Sequence, residues 1–227
     1  MGREGGTLLE SSPRVLIPTE MDTFDTMMRR GGGDALRAAG QFFMKEDPVH
    51  QSLRAIAQRL DDLKIPYCIA GGMALVVHGY DRTTVDIDLV VTEEGLTAIH
   101  QNLDGRGYVR PFSNSKGLRD TATNVRIEFL VTGGFPGDGK PKPVAFPDPA
   151  REGIEVEGIR YLGLPSLIEL KLASGMSAPH RLKDLADVQE LIRVLKLSRD
   201  FVNDLNPYVA AKFDELWSAI QQAPPEE

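Results

Sequence analysis

Two aspartates stand two positions apart in TTVDIDLVV, the apolar run at residues 83–91. Successive side chains of a strand point to opposite faces, so Asp86 and Asp88 share one face while the hydrophobic side chains share the other. An unpaired buried carboxylate is costly, and two neighbouring carboxylates also repel each other. The pair is therefore either solvated or bound to a cation. Because aspartate is uncommon in strands, the spacing favours cation binding.

A second apolar run, NVRIEFLVT at 124–132, contains a single carboxylate, Glu128. By the same alternation Glu128 shares its face with Arg126. Carboxylate oxygens are the ligands that Mg²⁺ and Mn²⁺ prefer, and Asp86, Asp88 and Glu128 form a set suited to two such ions. The alternative is an ion pair between Glu128 and Arg126 or a neighbouring strand.

Two adjacent glycines, Gly71 and Gly72, join a predicted strand directly to a short predicted helix. Such a junction presents backbone N–H groups that bind anions such as phosphate. Most glycine pairs are simple turns. Here the pair precedes the strand that carries Asp86 and Asp88, and the combination favours an anion site beside the candidate metal site.

Further charged residues are candidates for the same site. Arg82 lies just before the strand of Asp86 and Asp88, and the others lie in the second half of the chain. Lys171 falls on the apolar stripe of a predicted helix, where it either extends to water or aims its ammonium at phosphate. Arg82 is either a solvated loop residue or a ligand of phosphate or acceptor. Lys183 and Asp187 are spaced as a surface ion pair. Alternatively, Asp184 or Asp187 orients Lys171 or an arginine of the site.

The run IAGGMALVVHGYDRTTVDIDLVV at 69–91 resembles the signature of the DNA polymerase β-like nucleotidyltransferase superfamily, which has a GG or GS turn, a short helix and D-x-D on a strand. Its R-x-T-x-D-I-D portion is similar to the AbiEii-like, minimal nucleotidyltransferase group. The later segment LIELKLASGMSAPHRLKDLADV resembles the closing helices of that group. The resemblance covers residues 67–195.

The resemblance implies transfer of a nucleoside monophosphate from an NTP to an acceptor, with two divalent ions, Mg²⁺ or Mn²⁺. By position, Asp86 and Asp88 bind both ions, and Glu128 binds one ion and helps to activate the attacking hydroxyl. The resemblance also implies a toxin-like role with an antitoxin protein as partner.

The same resemblance assigns the nucleotide-binding residues. Gly71 and Gly72 are expected to cradle the triphosphate, and the resemblance favours a Lys171 ammonium aimed at it. Arg82 is added to the nucleotide-binding residues by its position just before the strand of Asp86 and Asp88, where it is expected to contact phosphate or acceptor. The sequence departs from the family pattern at two places, because Gly72 stands where serine is common and Glu128 stands where aspartate is commoner. These departures indicate altered acceptor chemistry or lost activity, so a catalytically weak nucleotide-binding or regulatory protein is the alternative function.

The pattern of elements predicts an α/β (α+β) protein with a mixed β-sheet flanked by helices and a C-terminal helical region. We expect a poorly ordered segment at 1–46, a nucleotidyltransferase core at 47–162 and packed helices at 163–223. The strands are predicted at 67–70, 85–91, 108–112, 125–131 and, as a pair, within 153–163. The main helices are predicted from 48 to about 65, at 92–103, from 164 onward, at 181–197, 198–205 and 207–222.

The chain has 227 residues, 41% of them hydrophobic and 26% charged, as is ordinary for a globular protein. A net charge of −7 is unlike that of a general nucleic-acid binder. It weakly disfavours RNA as acceptor, although RNA, a protein or a small molecule all stay open. The single cysteine, Cys68, is predicted to be buried in a strand. No membrane span or signal-peptide core is present, so we expect a cytoplasmic protein without a membrane partner.

Overall fold

The computed structural model describes residues 24–30 and 32–222. It contains a mixed sheet of seven strands flanked by helices, which confirms the predicted fold class. The strands are β1 (Tyr67–Ile69), β2 (Asp86–Val91), β3 (Tyr108–Val109), β4 (Leu118–Asp120), β5 (Arg126–Val131), β6 (Ile154–Val156) and β7 (Ile159–Tyr161). The helices are α1 (Phe24–Arg30), α2 (Gly32–Phe43), α3 (Pro48–Asp62), α4 (Gly71–Val77), α5 (Glu93–Leu103), α6 (Leu164–Ser177), α7 (Leu182–Leu195) and α8 (Pro207–Gln222).

The sheet brings the two carboxylate-bearing strands side by side at its centre. Its strand order is β3–β4–β5–β2–β1–β7–β6. Strand β2 runs parallel to β5, and β1 runs parallel to β7, while the other neighbours are antiparallel. The adjacency of β2 and β5 is what places the polar faces of the two runs next to each other.

Local sequence signals fix the helices that support this sheet. Asp47 caps α3 by accepting hydrogen bonds from the two backbone N–H groups that follow Pro48, the first residue of the helix. Thr92 caps α5 by accepting from the backbone N–H of Gly95, and two glutamates in the first turn suit the positive end of that helix. Aspartate and threonine are residue types that favour helix caps, and each stands where the sequence predicts a helix to begin.

The hydrophobic residues of β2 and β5 form the centre of one continuous core. Ile87, Leu89 and Ile127 are fully buried, and α3 and α5 contact these strands. The same core extends into α6, α7 and α8. Helices α6, α7 and α8 are therefore packed against the sheet by shared hydrophobic burial, while the division of the chain at residue 163 stays a prediction. No helix within the described residues is long and apolar enough to cross a membrane.

The structure differs from the sequence prediction at several short elements. Strand β4 was not predicted, because three residues beside a glycine carry too little periodicity. Ser166 and Glu169 have capping-box spacing, which predicts a helix start at Ser166. This prediction is wrong, because α6 begins at Leu164 and Gly163 occupies the cap position without a side-chain bond. The segment 199–204 is a 3-10 helix rather than an α-helix. Helix α1 lies in the segment predicted to be poorly ordered, whereas α2 overlaps a short helix that the sequence predicts from about residue 35 to 45. Residues 1–23 and 31 of that segment lie outside the described residues.

Candidate active site

A cavity of about 520 Å³ lies over the polar face of β2 and β5. Helices α4, α6 and α7 and the loop after β5 supply its other walls. All seven residues proposed from the sequence line this one cavity, namely Gly71, Gly72, Arg82, Asp86, Asp88, Glu128 and Lys171. The fold therefore brings them together, while their individual roles stay predictions.

Four charged residues form a square on the polar face of the two central strands. Asp86 is the direct register partner of Arg126, and Asp88 is the partner of Glu128. Neighbouring strands lie about 4.8 Å apart, and residues two apart on one strand about 6.6 Å. We call Asp86, Asp88, Arg126 and Glu128 the charged square. Arg126 contacts Asp86 at 3.1 Å and Glu128 at 3.3 Å, so the predicted ion pair of Glu128 exists alongside the predicted carboxylate cluster.

Asp88 occupies the corner of the charged square diagonally opposite Arg126. Burial, followed by the negative charges of Asp86 and Glu128, raises the pKa of Asp88 to about 7. The more distant cations Lys171 and Arg181 act in the opposite direction without cancelling the effect. The square thus contains more negative charge than its single arginine neutralises.

The two glycines allow the turn before α4 to lie directly against strand β2. Gly71 has φ +57°, and a Cβ there would stand 1.9 Å from Asp88 Oδ2. A Cβ at Gly72 would stand 2.6 Å from both Cβ and Oγ1 of Thr84. Thr84 Oγ1 in turn donates to Asp86 Oδ1 at 3.0 Å. The space that a serine at position 72 needs is therefore filled by Thr84, which gives the Gly-Gly turn a structural reason.

Lys171 lies in a buried ionic network on the opposite wall of the cavity. Its Nζ donates to Asp187 Oδ2 at 2.6 Å and to Asp184 Oδ1 at 3.2 Å. Arg82 Nη1 donates to the second oxygen of Asp187 at 2.6 Å. Asp184 also accepts from Ser174 at 2.6 Å. Asp187 thus joins the two cations that were proposed from the sequence to contact phosphate.

This network corrects two of the sequence alternatives. Asp187 is 3% exposed and pairs with Lys171 and Arg82, so its assignment to a surface pair with Lys183 is wrong. Lys171 is 8% exposed, so it does not extend its ammonium to water. Burial alone would raise the pKa of Asp184, but the charge of Lys171, the hydrogen bond from Ser174 and the Arg181 guanidinium together lower it. Both aspartates instead contact Lys171, and each also contacts an arginine. That Asp184 or Asp187 orients Lys171 or an arginine of the site stays a prediction.

The cavity has an apolar end that sequence reasoning missed. Its lining includes Leu130, Phe135 and Phe146 from the strand β5 side, and Leu167 and Leu170 from helix α6. Leu130 could have been found, because it continues the alternation that places Glu128 on the polar face. The two phenylalanines lie in an irregular loop without periodicity, so no sequence signal pointed to them.

The described residues contain no group of three or more histidine, cysteine, aspartate or glutamate side chains already arranged around a metal position. The charged square nevertheless places three carboxylates beside a single guanidinium. Carboxylate oxygens in this number match the donor chemistry of Mg²⁺ or Mn²⁺. The three carboxylates therefore fit a divalent cation in their donor type and their charge.

A protein-family comparison supports the superfamily resemblance. The family model for aminoglycoside-2''-adenylyltransferase matches residues 52–142, less than half of the chain. The matched segment contains both glycines of the turn and all four residues of the charged square. It supports a nucleotidyltransferase, while the AbiEii-like subgroup is not confirmed. No curated protein matches the chain.

Solved structures to which this chain is similar include a nucleotidyltransferase-like protein and an adenylyl-aminoglycoside complex. An antigenic nucleotidyltransferase-like protein from Paracoccidioides brasiliensis has 19% identity and a TM-score of 0.44, with 75% of this chain and 91% of that chain covered. ANT(2'')-Ia in complex with adenylyl-2''-tobramycin has 14% identity and a TM-score of 0.42, with 71% of this chain and 90% of that chain covered.

Proposed function

We propose that the protein is a metal-dependent nucleotidyltransferase that moves a nucleoside monophosphate from an NTP to a hydroxyl acceptor. The observation that carries the proposal is the charged square, which sets three carboxylates beside the glycine turn in one cavity. The family match over residues 52–142 supports the same reaction class.

In the proposed reaction the acceptor oxygen forms a bond to the α-phosphorus while the bond from the α-phosphorus to the bridging oxygen breaks. Pyrophosphate leaves with that oxygen. The proton of the hydroxyl passes to Glu128, whose side chain is 44% exposed and lies 3.3 Å from Arg126. Lys171 and Arg82, held by Asp187, place positive charge on the wall facing the square.

A divalent cation would be held by Asp86, Asp88 and Glu128. Bound there, it would supply electrostatic stabilisation of the charge that develops on the attacking and leaving oxygens. The residues of the chain contribute the rest. The glycine turn brings backbone within contact of Asp88, and Thr84 holds one oxygen of Asp86 in place.

The test is transfer of label from each of the four α-³²P-labelled NTPs in the presence of Mg²⁺ or Mn²⁺. RNA, total protein and small hydroxyl compounds serve as acceptors. We expect labelling by the wild type and none above background by Asp86→Asn or Asp88→Asn. Asp81→Asn is the matched control, because Asp81 is an exposed aspartate outside the cavity. Undiminished labelling by both site variants contradicts the proposal.

The acceptor class is limited by the charges that line the cavity. The family name suggests an aminoglycoside, which carries several positive charges. Among the described lining residues, each carboxylate either belongs to the charged square or is buried against Lys171, Arg82 or Arg181. This arrangement favours an acceptor with few positive charges. We therefore expect a neutral small molecule to be labelled in preference to tobramycin.

A catalytically weak, nucleotide-binding regulatory protein is the second candidate, because Arg126 engages two of the three carboxylates. Calorimetry separates the two functions. Binding of an NTP without transfer to any acceptor supports the regulatory role, and robust transfer removes it. A toxin role with an antitoxin partner is tested by expressing the chain in bacteria, where growth arrest must disappear in Asp86→Asn.

A further inference from the structure

Arg126 makes an unusual contact within the charged square. A single nitrogen, Nη2, lies 3.1 Å from Asp86 Oδ2 and 3.3 Å from Glu128 Oε1. One positively charged atom therefore bridges a carboxylate of β2 and a carboxylate of β5. This is the position at which a cation shared by the two strands would also contact them.

The sheet register explains this contact. Arg126 is the direct lateral neighbour of Asp86 and lies two residues before Glu128 on the same face of β5. The guanidinium needs no long reach to either carboxylate. The backbone register therefore places the positive charge of Arg126 in the candidate metal site.

The charges show that Arg126 is an incomplete substitute for a divalent ion. The square contains three carboxylates and one guanidinium, and Asp88 has no contact with that guanidinium. A divalent ion would neutralise more of this charge, but it must compete with Arg126 for oxygens of Asp86 and Glu128. Carboxylate–guanidinium contacts and metal coordination use the same lone pairs.

We propose that Arg126 is a resident counter-ion that competes with the divalent metal and thereby sets the concentration at which the site loads. This inference rests on the metal-dependent function proposed above. Arg126 acts on metal binding through Asp86 and Glu128, so it is a positioning residue for that step. When the metal binds, the guanidinium leaves the two oxygens and becomes available to the cavity that it already lines.

Arg119 provides a matched control on the adjacent strand. It is the register partner of Arg126, so its side chain leaves the same face of the sheet. Its guanidinium donates to the backbone oxygen and the side-chain oxygen of Asn124. Removal of Arg119 therefore takes one positive charge from the same face without releasing a carboxylate of the square.

The experiment measures binding of Mn²⁺ alone to the full-length protein by electron paramagnetic resonance and calorimetry, without nucleotide. Two half-exposed ion pairs contribute up to about 1 kcal/mol each, so we expect Arg126→Gln to bind Mn²⁺ roughly three- to thirtyfold more tightly than the wild type. Arg126→Met, which keeps most of the side-chain stem, should bind Mn²⁺ as tightly as Arg126→Gln. It replaces Arg126→Gln in the experiment if that variant does not fold. Arg126→Lys should stay closer to the wild type, and Arg119→Gln should change affinity less than twofold.

Equal or weaker Mn²⁺ affinity in the variants that lack the charge overturns the counter-ion role. If the wild type still transfers nucleotide in that case, the proposed function stands and only this inference fails. If neither the wild type nor any Arg126 variant binds Mn²⁺ at millimolar concentration, both the inference and the metal site of the proposed function are wrong.

Discussion

Asp187→Ala tests whether the buried network holds the wall of the cavity that faces the charged square. The side chain of Asp187 is 4% exposed and accepts from Arg82 and Lys171, each at 2.6 Å. Its loss leaves Lys171 with Asp184 alone at 3.2 Å and leaves Arg82 without its carboxylate. Removing one partner of a buried ionic network costs about 3–5 kcal/mol, because the remaining charge is desolvated and uncompensated.

We expect the lower part of that range, because the side chain of Arg82 is 16% exposed and can recover some hydration. A loss of about 3 kcal/mol with a slope of about 2 kcal/mol per M urea lowers the unfolding midpoint by about 1.5 M. The assay is urea unfolding followed by circular dichroism and tryptophan fluorescence. Asp187→Asn, which keeps one acceptor oxygen, should lose roughly half as much.

Lys183→Ala is the control for the same helix, since Lys183 is exposed and lies four residues before Asp187. Its midpoint should change by less than about 0.3 M, as for an ordinary surface substitution. A shift for Asp187→Ala that does not exceed the Lys183→Ala shift refutes the network argument. If Asp187→Ala keeps the midpoint of the wild type but changes the slope, the substitution has altered the compactness of the unfolded or native state.

Three further predictions concern other contacts. Gly72→Ala should lose about 1–3 kcal/mol of unfolding free energy through overpacking against Thr84, measured by urea unfolding, whereas Gly40→Ala, with open space around it, should be neutral or slightly stabilising. Burial raises the pKa of the Cys68 thiol to about 11, so Ellman's reagent at pH 8 should label the unfolded but not the native protein; rapid native labelling would contradict this. Because the pKa of Asp184 is lowered on folding, its stabilising contribution is present above its ordinary pKa and is lost as pH falls toward the folded value. Asp184→Asn should therefore show a shallower loss of stability below pH 5 than the wild type, and equal slopes would refute the assignment.

The polar faces of β2 and β5 could be predicted because strand alternation depends only on local sequence. Asp86, Asp88 and Glu128 stand in apolar runs whose period of two fixes their side. Glu128 was proposed as the third carboxylate from its apolar run and from the family resemblance, but the in-register pairing of these strands, and hence the charged square, was not predicted. No local signal states that Asp86 faces Arg126 in register.

The burial of charged residues was the part that sequence reasoning predicted worst. Lys183 and Asp187 have the spacing of a surface pair, and nothing local shows that α7 turns Asp187 toward Lys171 on α6. The same limit applies to Gly72, whose contact with Thr84 depends on how the α4 turn lies on β2. Such contacts are set by helix packing on the sheet, which depends on the whole core.

The parallel pairing of β2 with β5 also determines when the site arises during folding. The two strands are joined through α5, β3 and β4, so their contact closes a long loop and is a non-local event. Before that event, repulsion of Glu128 by the two aspartates is weak, because the strands are apart. Strand β5 brings Arg126 and Glu128 together, so the step that adds the third negative charge also adds a positive one. The presence of Arg126 beside Glu128 on β5 thus reduces the carboxylate repulsion that opposes pairing of β2 with β5. In a chain that lacks Arg126, this repulsion would not be reduced.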